Sequence, residues 1–480
     1  MRTLFTCTAV LALLAPAAHA EDLVYKSTKQ LSPRLQELTF TTPALNPQQT
    51  GVRILYPQHY DASGNTRYPV LYLLNGSLDD QTSWTTKGDA EKISAPYDLI
   101  VVMPSGGQFG NYTDWYNYAN FGPPEWETYH IKQLIPWIDS HLPTDATRAG
   151  RWVAGLSMGG GGAATYQARH PDLFSAVGIF SGAVDTNNVF VQPLTATAGI
   201  QSGQPTTEVY GPRATQEIRW RGHNGWDLAE NLRGAFIQMD TGDGGSGGPG
   251  GDTGDPVEAD VYQQSTALHE RLDELGIPHI WDYYGPGGHT WYYWNRDLSQ
   301  LLPRLMALYA DGGQPDPKRF DYRAIDPSYD VFGWHVAIDR LALEFSALTD
   351  AGRDGFSLSG SGRALVTTAR YWKPGTALNV TIADKTQRLA ADAKGRLTLP
   401  LDLGPANPYQ QYSPQAQEWM AQNNTGDDVG RPVDEAQRWP VFTKTVAIAP
   451  VKGASAARKR RLHRHERRAR VPRRTHRKRR

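Results

Sequence analysis

Three residue types, met in one order along the 480-residue chain, could do chemistry together: a serine, then a set of carboxylates, then a histidine. The serine stands in Gly155-Leu156-Ser157-Met158-Gly159, inside RWVAGLSMGGGGAATYQ. The pattern G-x-S-x-G is weak by itself in a chain with 47 glycines, and Gly244-Gly245-Ser246-Gly247-Gly248 matches it too. Context separates the two. RWVAG reads as a strand and GGGGAATYQ as the start of a small-residue helix, so Ser157 occupies the strand–turn–helix corner of a nucleophile elbow. Such a corner strains the backbone at the serine and needs small neighbours. The helix start then directs N–H groups and a positive dipole at developing negative charge. Ser246 lies in GDGGSGGPGGDTGD, with no helix start after it, and reads as loop.

A serine hydroxyl needs a base. Among 13 histidines, His289 is the candidate, because YYGPGGHTWYYW forms a glycine-rich loop after a strand and follows the order serine, acid, histidine. His170 closes the serine's helix and His279 lies in a strand-like run, so both read as structural. The acid must hold the imidazole tautomer and stabilise the imidazolium. Asp240, Asp243, Asp252, Asp255 and Glu258 all follow the strand GAFIQMD, and residue type does not choose among them. Asp243 is close to the strand end; Glu258 lies past a glycine-rich insertion that could fold back. An oxyanion would need two backbone donors: Met158 N–H, and Ser77 N–H from the loop Asn75-Gly76-Ser77. Trp84, Trp115, Trp291 and Trp294 are candidates to wall a pocket, with core packing the plainer reading of each. The chemistry calls for no cofactor, and the Asp/Gly-rich loop lacks EF-hand spacing, so no metal is expected.

The elements that must position these residues alternate. Strand-like runs at 50–57, 68–74, 97–104, 151–157, 174–182, 234–240 and 278–285 are separated by helical patterns at 126–142, 161–170, 261–275 and 296–310. Several runs are nearly continuous in apolar residues, as in parallel strands buried on both faces. The expectation is an α/β fold over 21–312 with a mainly parallel sheet. DGGQPDPK (311–318) reads as a linker. Beyond it, alternating runs with turn signals predict a small all-β sandwich over 319–450, more a stabilising appendage than a second reactive site.

Residues 1–20 carry one Arg, a short apolar run and a small-residue end, Ala18-His19-Ala20, which predicts a secretory signal peptide and a secreted protein, extracellular or cell-wall associated. The single cysteine, Cys7, falls inside it, which excludes disulfides, thiolate catalysis and cysteine–zinc sites from the mature chain. The formal net charge of zero conceals a division: residues 452–480 hold 15 Lys+Arg and one acid, leaving 34 basic and 48 acidic residues elsewhere. The 451–480 tail is expected to be disordered. It reads as a solvated extension or as an adhesive for an anionic cell-surface polymer; export argues against nucleic acid as its partner.

With these residues named, the chain resembles the α/β-hydrolase family that holds esterase D, feruloyl esterases and antigen 85-type mycolyltransferases. The resemblance covers about 50–310 and rests on VLYLLNG (70–76), VVMPSGGQFGNYTDWY (101–116), GLSMGG (155–160), VYGPR (209–213) and GGHTWYYW (287–294). It implies Ser157 as nucleophile and His289 as base. It implies Glu258 as acid by the mycolyltransferase pattern, or Asp243 by the feruloyl esterase pattern, with the better match to the first. This chain has Asn75, expected among the substrate-contacting residues, where the mycolyltransferases look to have an Asp that helps bind the sugar acceptor, and its following loop lacks their Arg. The expectation is therefore a serine carboxylic ester hydrolase acting on a small or polymer-linked acyl ester. An acyltransferase with a sugar or wall-polymer acceptor is the alternative, and a non-enzymatic surface-binding protein the competing class.

Overall fold

The apolar runs become strands buried along their whole length. In β4 (Val70–Leu74), β5 (Ile100–Pro104), β6 (Arg151–Leu156) and β7 (Ala176–Phe180) every residue is buried. The structure, a computed structural model, describes residues 22–45, 49–116, 124–188, 209–423 and 439–451. The expected signal peptide and nearly all of the basic tail lie outside the described residues.

With β1 (Val24–Gln30), β2 (Leu35–Thr41), β3 (Gln49–Leu55), β8 (Phe236–Thr241) and β9 (Ile280–Tyr283), these strands form one nine-stranded sheet in the order β1-β2-β3-β5-β4-β6-β7-β8-β9. β1, β2 and β3 pair antiparallel, β3 pairs antiparallel to β5, and every pair from β5 to β9 is parallel. This is an α/β-hydrolase fold. Alternate residues of β6 face opposite cores. Val153 joins the cluster with Ala163, Ala164 and Leu268, from the helices Met158–Arg169 and Pro256–Glu274. Trp152 and Ala154 join Leu298, Leu301 and Leu302 of the helix Trp291–Ala310 on the other face. The register places Leu156 opposite Phe180, and Phe180 opposite Asp240. The carboxyl ends of β6, β7 and β8 therefore finish level, at the rim where α/β sheets bind ligands.

The expected helix at 126–142 is helical as far as His141 but changes winding: Thr128–Leu134 is a π-helix and Ile135–His141 an α-helix with Pro136 in its first turn. The sequence reading passed over β1 and β2. All seven residues of β1 are exposed, so no alternation marks it. The helix Arg213–Gly222 was passed over as well.

After the linker, two antiparallel sheets pack over one core. The six-stranded sheet has the order β10 (Arg319–Ala324), β13 (Ser346–Gly352), β14 (Gly355–Gly360), β19 (Phe442–Pro450), β16 (Ala377–Ile382), β17 (Lys385–Ala390). The four-stranded one runs β11 (Ser328–Val331), β12 (Trp334–Asp339), β15 (Arg363–Thr367), β18 (Thr398–Asp402). Trp334, Val336, Leu348, Leu358 and Leu399 lie in the shared core. This unit docks on the far end of the Ser157 helix: Tyr322 OH donates to Arg169 O at 2.7 Å, and Arg169 pairs with Asp326 at 3.1 Å. No described helix is long and apolar enough to cross a membrane.

Candidate active site

Ser157 ends β6 and caps the helix Met158–Arg169 with φ 55° and ψ −122°. That is a conformation L-residues avoid, worth about 1–3 kcal/mol of strain at a non-glycine. The surroundings enforce it. Ser157 N donates to Phe180 O at 2.9 Å, while its carbonyl accepts from Gly161 N and Ala183 N at 3.0 and 3.1 Å. The glycines that blur the motif in sequence are what let the helix press against the sheet. A Cβ on Gly159 would lie 2.6 Å from Asn75 O, and one on Gly161 would lie 2.1 Å from Ala183 O. Met158 N–H opens the helix and has no acceptor within it.

The Asn75-Gly76-Ser77 loop passes close to this corner, since a Cβ on Gly76 would lie 3.3 Å from Ser157 Cβ. Asn75 holds the loop in place. Its Nδ2 donates to Gly76 O, its Oδ1 accepts from Gly106 N, both at 2.9 Å, and its carbonyl accepts from Tyr112 OH at 2.8 Å. Asn75 is 1% exposed, so it organises the loop and does not face a substrate, which corrects the expectation of a substrate contact. Ser77 is exposed beside it. Beneath the next loop, buried His130 accepts from Tyr166 OH at Nδ1 and donates from Nε2 to Ser105 O, both at 2.9 Å; burial lowers it to about 4, so it stays neutral.

The five candidate acids separate cleanly. Glu258 Oε2 lies 2.7 Å from His289 Nδ1, and its side chain has no exposure. Its other oxygen, Oε1, accepts from Gly242 N at 2.8 Å, Ser181 Oγ at 2.9 Å, Thr241 Oγ1 at 3.0 Å and Tyr284 OH at 3.3 Å. Burial first, then the Glu258 charge, raises the Tyr284 phenol, which keeps it a donor. Asp255 is the N-cap of the helix that carries Glu258, accepting from Val257 N and Glu258 N, and its Oδ2 accepts from His289 N at 2.8 Å. Burial would raise the Asp255 carboxyl, but the His289, Glu258 and Val257 N–H groups and the imidazole hold it below its usual value. Asp243 accepts from Tyr283 OH at 2.8 Å and Gly245 N at 2.7 Å, Asp252 accepts from Tyr293 OH, and Asp240 accepts from Gln238 Nε2. The glycine-rich insertion does fold back, and Glu258, rather than Asp243, is the carboxylate on the imidazole.

His289 Nε2 is buried and has no hydrogen-bond partner among the described residues. The His289 ring meets Trp294 edge to face at 5.0 Å; Trp294 meets Trp291, and Trp291 meets Trp84, each at 5.2 Å. Of these three tryptophans only Trp291 is partly exposed. Trp84 is 1% exposed and donates its indole N–H to Leu74 O, so it is core and not pocket wall, a correction to its reading as a substrate contact. Trp115 is half-buried against Val209, Tyr210 and Trp220, with its N–H on Gly110 O. His170 bonds Glu127 at 2.7 Å on the far side of the helix. Ser246 lies in the loop, bridged to Thr253. A cleft of about 280 Å³ opens between Asp79–Gln81 and Ser105–Gln108, and neither Ser157 nor His289 lines it. Ser181, Thr241 and Tyr284 were not foreseen. Ser181 and Thr241 sit at strand ends level with Ser157, and a polar residue closing an apolar run (GIFS, FIQMDT) is the signal that could have found them.

Residues 43–305 match the family model described as "Putative esterase". Esterase Rv1288 of Mycobacterium tuberculosis is 34% identical over 285 residues, covering 57% of this chain and 60% of that protein. The diacylglycerol acyltransferase/mycolyltransferase Ag85A of Mycobacterium leprae is 29% identical over 268 residues, covering 51% and 76%. The chain thus matches about three-fifths of the length of the first of these relatives. A solved ferulic acid esterase is 23% identical, with a TM-score of 0.42, covering 57% of this chain and 98% of its own. On the match across more than half of its length, the chain belongs to the esterase family of α/β-hydrolases.

Proposed function

We propose that the protein is a serine carboxylic ester hydrolase in which Ser157, His289 and Glu258 act in series. The observation that carries this reading is the Glu258–His289 pair. One imidazole nitrogen is fixed on a fully buried carboxylate, and the other has no partner among the described residues. The pair is held at the ends of strands adjoining the elbow serine. Since Glu258 can only accept in its ionised form, the His289 proton sits on Nδ1 and Nε2 offers a lone pair. Ser157 Oγ attacks the ester carbonyl and passes its proton to Nε2. Met158 N–H and Ser77 N–H stabilise the tetrahedral oxyanion. His289 then protonates the leaving alcohol, and afterwards activates a water that releases the acid from Ser157. Of the tryptophans in the row beside His289, the partly exposed Trp291 is the one placed to touch substrate.

Transfer of the acyl group to a hydroxyl acceptor is the second reading, favoured by the likeness to Ag85A. The commitment of Asn75 to its own loop weighs towards water. Export is proposed on residues 1–20, and contact with an anionic surface polymer on the basic tail. The test is hydrolysis of p-nitrophenyl esters of increasing acyl length, with Ser157→Ala beside the wild type. Turnover lost in the folded variant is the expected result. A wild type inert on every chain length, or an equally active Ser157→Ala, overturns hydrolysis by this serine.

A further inference from the structure

The helix that presents Glu258 at its first turn carries His269 and Asp273 near its last, one turn apart on the same face. His279 stands immediately ahead of β9. Each of these three side chains offers a ligand atom, all within 4.8 Å of one another. Hydrogen-bond directions fix their protons. His279 Nδ1 lies 2.9 Å from Ile277 O, and a carbonyl only accepts, so the proton is on Nδ1 and His279 Nε2 carries a lone pair. That Nε2 lies 2.7 Å from His269 Nδ1, which must therefore be the donor. His269 Nε2 faces Asp273 Oδ2 at 3.7 Å. Trp281 stacks on His269 at 4.8 Å with the rings 4° from parallel, holding the imidazole in that orientation.

We propose that His269, Asp273 and His279 bind a divalent transition-metal ion of the zinc class. Two imidazoles and one carboxylate suit zinc, nickel or copper(II) better than magnesium or calcium, which favour all-oxygen shells. Zinc takes such ligands at about 2.0–2.2 Å, leaving a fourth position for water. Tetrahedral ligands then stand about 3.3 Å apart. The three ligand atoms, within 4.8 Å of one another, must draw together by up to about 1.5 Å, which side-chain rotations supply. The Ile277 carbonyl on His279 is the kind of outer partner that orients a ligating histidine. All three residues are at least partly exposed, so the ion can enter and exchange. Eleven residues of helix, about 16 Å, separate His269 from Glu258, which makes the ion a clamp between helix and β9 and not a participant in ester chemistry. The inference does not depend on the hydrolase reading.

The test uses the full chain, stripped with chelator and titrated with ZnCl2 by calorimetry and thermal unfolding. Wild type should bind one zinc tightly at this site and gain several degrees in Tm by mass action. His269→Ala/His279→Ala should lose both signals. Asp273→Ala, a change at an exposed residue, should bind at least tenfold more weakly while remaining folded. His463, His465 and His476 of the tail could also take zinc, so a variant with all three as Gln should keep the tight site and the Tm gain. Co2+ in place of zinc should give the visible absorption of a tetrahedral N/O site in the wild type only. No tight zinc binding by the wild type, or binding and a Tm gain unchanged in both site variants, overturns the proposal.

Discussion

Glu258→Gln isolates what the carboxylate does for His289. The side chain keeps its length and volume, so packing around the fully buried position is preserved. The orientation of the new amide is dictated by the Oε1 site. Three of the donors there are hydroxyls that could rotate and accept, but Gly242 N–H at 2.8 Å cannot. An amide NH2 placed against it would orphan a buried backbone donor, at about 1–3 kcal/mol. The carbonyl oxygen therefore takes that site, and the NH2 points at His289 Nδ1. The imidazole must then accept at Nδ1 and carry its proton on Nε2, where a lone pair is needed to receive the Ser157 proton. A wrong tautomer of this kind costs about 10⁴-fold in kcat, about 5.5 kcal/mol of barrier. KM should move little, because substrate contacts are untouched. The assay is steady-state hydrolysis of the best p-nitrophenyl ester, with circular dichroism and Tm to establish that the variant folds. Asp243→Asn is the paired control: Asp243 bonds Tyr283 and Gly245 and not the imidazole, so its kcat should stay within about threefold of wild type. A folded Glu258→Gln enzyme within tenfold of wild type would refute the tautomer argument, and a larger loss in Asp243→Asn would move the acid to Asp243.

Two further outcomes follow from the same region. Ser157→Gly should abolish turnover yet raise Tm by about 2–4 °C, because relief of a positive-φ strain of about 1–3 kcal/mol outweighs the extra unfolded-state entropy of glycine; a Tm at or below wild type counts against stored strain at the elbow. Asp240 is pushed up to about 8 by burial, with Asp282 nearby adding to the rise against the opposing Gln238 bonds. The folded chain thus holds a proton there that the unfolded chain releases near pH 4, so this group makes stability fall as pH rises from about 4 to about 8. Asp240→Asn should flatten the decline in urea midpoint between pH 5 and 8, and an unchanged slope would show that Asp240 is ionised in the folded state.

The sheet was legible because its strands are buried on both faces, and continuous apolar runs such as VLYLL and IVVMP have few other readings. What escaped are elements whose residues answer to something other than burial. β1 reads VYKSTKQ because it is an exposed edge strand, where lysines discourage further pairing. β17, with its six residues nearly all exposed, is hidden for the same reason. The site was legible in its serine and histidine, which lie in local patterns of strand, turn and helix. The acid was not legible from pattern, since five carboxylates follow one strand and only the course of the glycine-rich insertion decides which reaches the imidazole. Family resemblance favoured Glu258, and the geometry supplies the physical reason. Asp255 caps the helix with one carboxylate oxygen and holds the His289 backbone with the other, so the helix start and the histidine loop are fixed to each other before Glu258 is placed.

That arrangement explains why the unforeseen residues matter as much as the foreseen ones. Ser157, Ser181 and Thr241 each sit at the carboxyl end of one of three neighbouring parallel strands, and Ser181, like Ser157, is a non-glycine with positive φ, at 45°. Ser181 N donates to Asp240 O at 2.8 Å, which continues the strand pairing past the formal end of β7 and aims its hydroxyl at Glu258. Trp294 N–H reaches Ser181 Oγ at 3.4 Å while its ring packs on His289, so one tryptophan contacts both the imidazole and the shell of its carboxylate. A buried carboxylate with unsatisfied lone pairs would be costly. Four donors on Oε1 offset that cost and leave Oε2 for the imidazole. The sheet rim therefore builds the serine corner and the acid holder from the same structural event, the end of a parallel strand, repeated on three adjacent strands.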